Sequence, residues 1–264
     1  ILVDDGAQDD SPRMCDAYTK QDSRVKVIHK PNGGLVSAWM AGVERSSGEY
    51  LMFVDSDDWI DACMVEELVK GASGETGEIV CCNFVIERPN GKEECRHELA
   101  PGVYEGKRLE TEVKTELLGN ERRTVSMSRC MKLFSRELIT DNLQFCNPEL
   151  RMGEDVIIVL SALCDCRRLV ILKDALYYHY FYNPASMVHK YDPKMAEGIR
   201  ELNRRGSTVI YTTHYMEEVE EICTRIVIMD HGKILAQGTT EELKEQASLQ
   251  HVFSSLPTLN EVFL

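Results

Sequence analysis

Three short apolar runs punctuate the start of the sequence: "ILV" at 1–3, "VKVIH" at 25–29 and "YLMFV" at 50–54. Between them lie two stretches with helical spacing, one opening at Ser11-Pro12 and one running from Leu35 to Arg45. Strands that alternate with helices at this spacing bury both faces only when helices cover a parallel sheet, so an α/β fold with a mostly parallel sheet is expected. In such a sheet the carboxyl ends of the strands open onto one crevice, and ligand-handling groups belong there.

Beyond residue 77 the pattern changes. "EIVCCNFVIERPNGKEECRHEL" (78–99) reads as two strands joined by a Pro-Asn-Gly turn, an antiparallel hairpin added to the sheet. A helix is expected near Lys107–Leu118 and another after Gly153, with the aromatic run "LYYHYFY" (176–182) following it. After Tyr191-Asp192-Pro193 the pattern restarts as helix, strand, helix, strand and hairpin, carried by "AEGIRELNRRG", "STVIYTTH", "YMEEVEEIC" and "RIVIMDHGKILAQG". A domain boundary is therefore placed near Lys194 to Glu197, dividing the chain into 1–194 and 195–264.

The totals narrow the function classes. At 264 residues, 43% hydrophobic and 28% charged, the chain can bury one large core or two small ones. A net charge of −14 argues against nucleic acid as a partner, because binding a phosphate backbone needs a basic footprint that displaces counterions. The ten cysteines show no CxxC spacing suited to zinc and read as reduced thiols of a cytoplasmic protein. No apolar run approaches the ~20 residues of a transmembrane segment, so any membrane association is expected to be peripheral, at the inner face.

The densest constellation of functional groups is acidic. Asp4-Asp5 follows the first apolar run, and Asp55-Ser56-Asp57-Asp58 follows the third. Two carboxylates 4 Å apart repel by about 4 kcal/mol at an effective dielectric near 20, so a cluster of them stays ionised only beside a cation. Oxygen-only ligands favour Mg²⁺ or Mn²⁺, ions that commonly bridge one or two carboxylates to substrate phosphates. An acidic strand end is equally compatible with an exposed turn or a helix cap.

Taken together, "ILVDDGAQDDSPRMCDAYTKQDSRVKVIHKPNGGLVSAWMAGVERSSGEYLMFVDSDDWID" resembles the nucleotide-binding half of the family 2 glycosyltransferases of the GT-A fold, and the resemblance extends over about 1–194. It implies that Asp5, with Asp4 beside it, contacts the uracil of a UDP-sugar, and that Asp55 and Asp57 form the DxD pair. Asp55 would touch the ribose, and the pair would hold the divalent metal. "RMGEDVIIVL" (151–160) looks like the family's Glu-Asp motif, which makes Asp155, with Glu154 adjacent, the general base on the acceptor hydroxyl. An inverting displacement needs such a proton acceptor opposite the departing diphosphate. The resemblance further implies transfer to a glycan or other hydroxyl acceptor, and a first strand of the sheet that would lie upstream of Ile1. Ser37-Ala38-Trp39-Met40 departs from the family's usual serine-alanine-arginine-asparagine run.

The last part is similar to something else. "EGIRELNRRGSTVIYTTHYMEEVEEICTRIVIMDHGKILAQGTTEELKEQ" and the closing "PTLNEVFL" resemble the C-terminal part of an ABC-transporter ATP-binding subunit, in which His214 would be the γ-phosphate-sensing switch histidine. The sequence holds no GxxxxGK[ST] loop and no "LSGGQ"-like segment, and a serine follows Asp55 where a catalytic glutamate belongs, so His214 is not expected to function. Three readings stay open: an inverting glycosyltransferase-like protein, a catalytically dead binding module or fusion of two fragments, and an ATP-binding transport subunit.

Overall fold

The computed structural model describes residues 1–117, 123–148, 153–182, 193–204, 206, 208–212, 216–230 and 233–250. The chain divides into two compact units, Ile1–Asn183 and Pro184–Leu264. Among the described residues no helix is long and apolar enough to cross a membrane.

The first unit begins as expected. Strand β1 (Leu2–Asp4), helix α1 (Ser11–Gln21), strand β2 (Val27–His29) and helix α2 (Gly34–Arg45) form one βαβ turn, with β1 and β2 parallel in register Leu2↔Val27 to Asp4↔His29. Gly6, at φ +77°, turns the chain after β1, and a Cβ there would approach the Asn32 nitrogen to 2.9 Å.

Next come β3 (Tyr50–Met52), the short β4 (Trp59–Ile60), α3 (Met64–Gly71), β5 (Glu78–Arg88), β6 (Gly91–Cys95), β7 (Gly102–Glu105) and α4 (Gly106–Glu112). β8 (Lys132–Ser135), α5 (Arg136–Thr140), α6 (Glu154–Asp165) and β9 (Arg168–Phe181) complete the unit. Seven of these strands make one sheet, ordered β3-β8-β5-β9-β4, with β6 added to β5 and β7 to β9. The Pro89-Asn90 turn closes the β5–β6 hairpin, where Arg88 faces Gly91.

The α/β class holds, with helices flanking a central sheet. The sheet is mixed, however, rather than mostly parallel. β5 and β9 are parallel, whereas β8 runs antiparallel to both β3 and β5, and β4, β6 and β7 are antiparallel to their neighbours. Two antiparallel steps restore direction, so β3, β5 and β9 all point the same way, as helical crossovers require. What local spacing does not reveal is that a strand from some 50 residues further along inserts between β3 and β5.

Helices pack on both faces of this sheet. On one face α2, α4 and α6 enclose Val36, Ile79, Phe134, Ile158 and Leu169; on the other, α3 brings Met64 and Leu68 against Val80, Leu133 and Tyr178. Trp39, the departure from the family pattern, is 7% exposed and meets the Phe53 ring edge-on at 5.9 Å. It is a core residue that seats α2 on the end of β3.

One histidine makes this core sensitive to pH. The His97 ring lies with Nε2 3.0 Å from the Cys82 carbonyl, to which it donates, while Nδ1 accepts from the Ser126 N–H at 3.1 Å, so the pattern demands a neutral ring. Burial and the nearby Lys132 ammonium push its pKa down to about 3. The unfolded chain, with an ordinary histidine near 6.5, binds a proton that the folded chain refuses. Stability contributed by His97 is therefore complete above about pH 6.5 and is lost as pH falls toward the folded value, by up to ~1.4 kcal/mol per pH unit. Urea midpoints at pH 7.5 and 5.0 should show this drop in the wild type and a flatter response in His97→Gln. Equal pH responses in the two proteins would remove the histidine from the explanation.

The second unit holds α7 (Pro193–Arg204), α8 (Met216–Ile222), an antiparallel hairpin of β10 (Ile226–Asp230) and β11 (Lys233–Gly238), and α9 (Thr240–Gln250). Val219, Ile226 and Leu243 form its small core. The strand expected over "STVIYTTH" is absent at 208–212, and Ile210 is 90% exposed. Among the described residues β10 and β11 pair only with each other, and an apolar β-branched run without a partner edge has no ladder to join. His214 lies outside the described residues.

Candidate active site

The acidic run after β3 is held by a network that reaches across the sheet. Phe53 forms an isolated bridge to Cys130, and two residues later the chain turns through Asp55-Ser56-Asp57-Asp58. Tyr178 of β9 pins this turn: its hydroxyl donates to Asp58 Oδ2 at 2.6 Å and accepts from the Asp55 N–H at 3.3 Å. The Phe181 N–H donates to Asp58 Oδ1 at 2.8 Å. Asp58 is thus committed to holding the turn, whereas Asp57 points into solvent as an exposed carboxylate.

Asp55 meets Asp155 through one cation. Arg129 Nη2 donates to Asp55 Oδ1 at 2.6 Å, Arg129 Nη1 donates to Asp155 Oδ1, and the Arg129 N–H reaches Asp155 Oδ2 at 3.3 Å. The guanidinium is 3% exposed, lies 5.9 Å from the Phe53 ring centroid, and has its Nε buried without a hydrogen-bond partner. Burial raises the Asp55 pKa, opposed by Arg129 and reinforced by the charge on Asp155. Burial likewise raises Glu154. Arg129 itself stays charged, because the two carboxylates outweigh its burial.

Asp155 stands in the first turn of α6, behind Gly153 at φ +78°, a left-handed residue that starts the helix. Carboxylates at a helix N-terminus lie in the favourable end of its dipole, which helps keep Glu154 and Asp155 where the sequence places them. One carboxylate expected at the strand end, Asp55, and one from the Glu-Asp motif, Asp155, therefore share one guanidinium. Arg129 was missed from the sequence. The available signal was an arginine opening the apolar run "CMKLF", since a buried arginine requires carboxylate partners.

Asp4 and Asp5 are held by donors of the chain itself. Asp5 accepts from the Gly33 N–H at 3.0 and 3.1 Å, the Gly34 N–H at 2.8 Å and the Lys30 ammonium, so it caps α2. Burial would raise its pKa, but these donors together hold it below the usual carboxylate range. Asp4 accepts from His29 Nδ1 at 2.8 Å and from the Ala7 N–H at 2.8 Å, and the His29 hydrogen bond above all keeps it ionised at low pH.

The donor chemistry fits a divalent ion only in part. Asp55 and Asp57 supply hard oxygen ligands beside further negative charge, yet among the described residues no three acidic, histidine or cysteine side chains converge on one point. An open pair of carboxylates is what Mg²⁺ or Mn²⁺ uses when phosphate oxygens complete its shell.

A family model for glycosyl transferase family 2 matches residues 1–142, more than half of the chain. The chain belongs to glycosyl transferase family 2. EpsH of Bacillus subtilis (strain 168), which carries a glycosyltransferase name, is 32% identical over 231 residues, covering 86% of this chain and 65% of EpsH. The chain thus spans less than two thirds of the length of the first curated relatives it matches. The crystal structure of Staphylococcus aureus TarS 1–349 in complex with UDP-GlcNAc superposes with a TM-score of 0.58 at 19% identity, over 83% of this family 2 chain and 61% of TarS, a likeness of fold. A second kind of relative also appears. The linearmycin resistance ATP-binding protein LnrL of Bacillus subtilis (strain 168) is 44% identical over 69 residues, 26% of this chain and 22% of LnrL.

Proposed function

We propose that the unit Ile1–Asn183 transfers a sugar from a nucleotide-diphosphate donor, a UDP-sugar, to a hydroxyl of a glycan acceptor with inversion. One observation supports this most directly: a strand-end carboxylate, Asp55, and a helix-start carboxylate, Asp155, share the buried Arg129. In this reading Asp55 and Asp57 hold Mg²⁺ or Mn²⁺, which when bound neutralises charge on the departing diphosphate. Asp155 takes the proton of the acceptor hydroxyl, and Arg129 holds that carboxylate in place through two donors. Glu154 adds negative charge beside it. Asp4 and Asp5 fix the β1 and α2 ends that border the nucleotide.

A UDP-sugar is the first donor to try because TarS, which has the same fold, was crystallised with UDP-GlcNAc. The segment 195–264 is proposed to be a separate piece derived from an ATP-binding subunit, which the LnrL likeness favours, with His214 carrying no catalytic role here.

Thermal shift separates these readings. A ligand at 100 times its dissociation constant stabilises by roughly 2.7 kcal/mol, which for a unit of this size raises Tm by about 5–10 °C. A rise with Mn²⁺ plus UDP that disappears in Asp57→Asn is the expected result. A rise only with Mg²⁺ plus ATP would transfer the function to the second unit, and no rise with either pair would overturn the donor site.

A further inference from the structure

Beside the acidic turn lies a feature that donor binding does not use. Trp59, directly after Asp58, is 44% exposed, although large aromatic side chains usually bury most of their surface. Its indole stacks on the His179 imidazole, with ring centroids 5.4 Å apart and planes within 5°, and the Phe181 ring, 42% exposed, stands 6.5 Å away at a 44° tilt. His179 is itself clamped. Its Nδ1 lies 2.9 Å from Glu87 Oε1 and its Nε2 3.3 Å from Asp61 Oδ1. With one indole face covered by a fixed imidazole, the exposed area falls on the opposite face and the edges.

Strand register gives this platform its side of the sheet. Trp59 pairs with His179, and Ile60 pairs with Tyr178. Ile60 and Tyr178 pack into the cluster under α3, and Trp59 and His179, next to them on each strand, project away from it. The Phe181 N–H to Asp58 bond ties the same strand end to the turn carrying Asp57.

We infer that Trp59, backed by His179 and flanked by Phe181, is a stacking platform for a neutral sugar ring of the acceptor. A flat, rigid aromatic surface presents an apolar face to the C–H groups of a pyranose, and the carboxylates of Asp57 and Asp61 beside it can accept its hydroxyl protons. The same carboxylates disfavour an anionic ligand. The assignment to the acceptor follows from the proposed function, in which the diphosphate of the donor is given to Asp55 and Asp57, and Trp59 follows directly after that turn. The inference rests on the glycosyltransferase reading for the word acceptor, and on Trp59 alone for the sugar.

The test is calorimetric titration of the full chain with maltotetraose, cellotetraose and chitotetraose, using a sialylated trisaccharide as the anionic control. At least one neutral oligosaccharide should bind, Trp59→Ala should weaken it tenfold or more, and Trp59→Phe should stay within about threefold of wild type. The anionic control should not compete. If no neutral oligosaccharide binds wild type at 10 mM, or if Trp59→Ala binds as wild type does, the platform is refuted. The Mn²⁺ and UDP thermal shift on wild type reports separately: binding at Trp59 without a UDP response leaves a sugar site standing and removes the transferase reading.

Discussion

Asp155→Asn is expected to lower turnover by roughly 10²–10⁴-fold, the usual worth of a positioned general base, while the Mn²⁺ and UDP thermal shift persists. The substitution preserves size and can still accept from the Arg129 N–H, now at 3.3 Å from Oδ2, but a carboxamide cannot take up a proton. Arg129 keeps Asp55 as partner, so the donor carboxylates stay in place. The cost should fall on kcat rather than on donor affinity, the signature of an interaction made in the transition state. Initial rates of sugar transfer with saturating donor measure it. Glu154→Gln is the companion variant: Glu154 is adjacent in sequence and its pKa is raised by burial, so it is a group that could serve instead. If Asp155→Asn retains turnover within threefold while Glu154→Gln loses it, the base has been assigned to the wrong residue.

The parts of this arrangement that were legible in the sequence are those encoded locally. Period-two and period-3.6 patterns mark β1, α2, β3, the β5–β6 hairpin and α6, and each carboxylate named from sequence stands at the end of one of these elements. What escaped depends on partners far along the chain. β8 inserts between β3 and β5, and nothing in "MKLF" itself announces which strands it will pair with. Arg129 joins Asp55 to Asp155 across 74 and 26 residues of sequence. Trp39 stands out in sequence only as a departure from the family's usual run, because a motif carries no depth, whereas packing sets it edge-on against Phe53 in the core. The strand expected at "STVIYTTH" failed for the complementary reason. β-propensity expresses fitness for a pleated neighbour, and residues 208–212 have none in this structure.

Partners distant in sequence also decide the largest expected loss of stability. Glu78→Ala should destabilise the first unit by about 3–5 kcal/mol, the usual cost of breaking a buried ion pair by removing one member. Glu78 is 0% exposed at the start of β5 and accepts from Arg168 at 2.6 Å, from the Ser73 N–H at 2.9 and 3.0 Å, from the Ser73 hydroxyl at 3.0 Å, from the Gly74 N–H at 3.1 Å and from the Tyr50 hydroxyl. Burial pushes its pKa up, yet these donors prevail and hold it below the ordinary value, so its stabilisation is complete above about pH 4.5 and is lost as pH falls through the folded value. Arg168→Ala should cost less, about 1–2 kcal/mol, because Glu78 keeps its other donors. Urea denaturation of the two variants checks the order: a cost under 1 kcal/mol for Glu78→Ala, or an equal cost for both, would show that the cluster is not a unit. Tyr50, Glu78 and Arg168 open β3, β5 and β9, the three strands that share a direction, whereas Asp55 lies just past the far end of β3. Stability is concentrated at one edge of the sheet and the proposed chemistry at the other, so Glu78→Ala should lower Tm while sparing kcat at temperatures where it is folded, and Asp155→Asn should do the reverse.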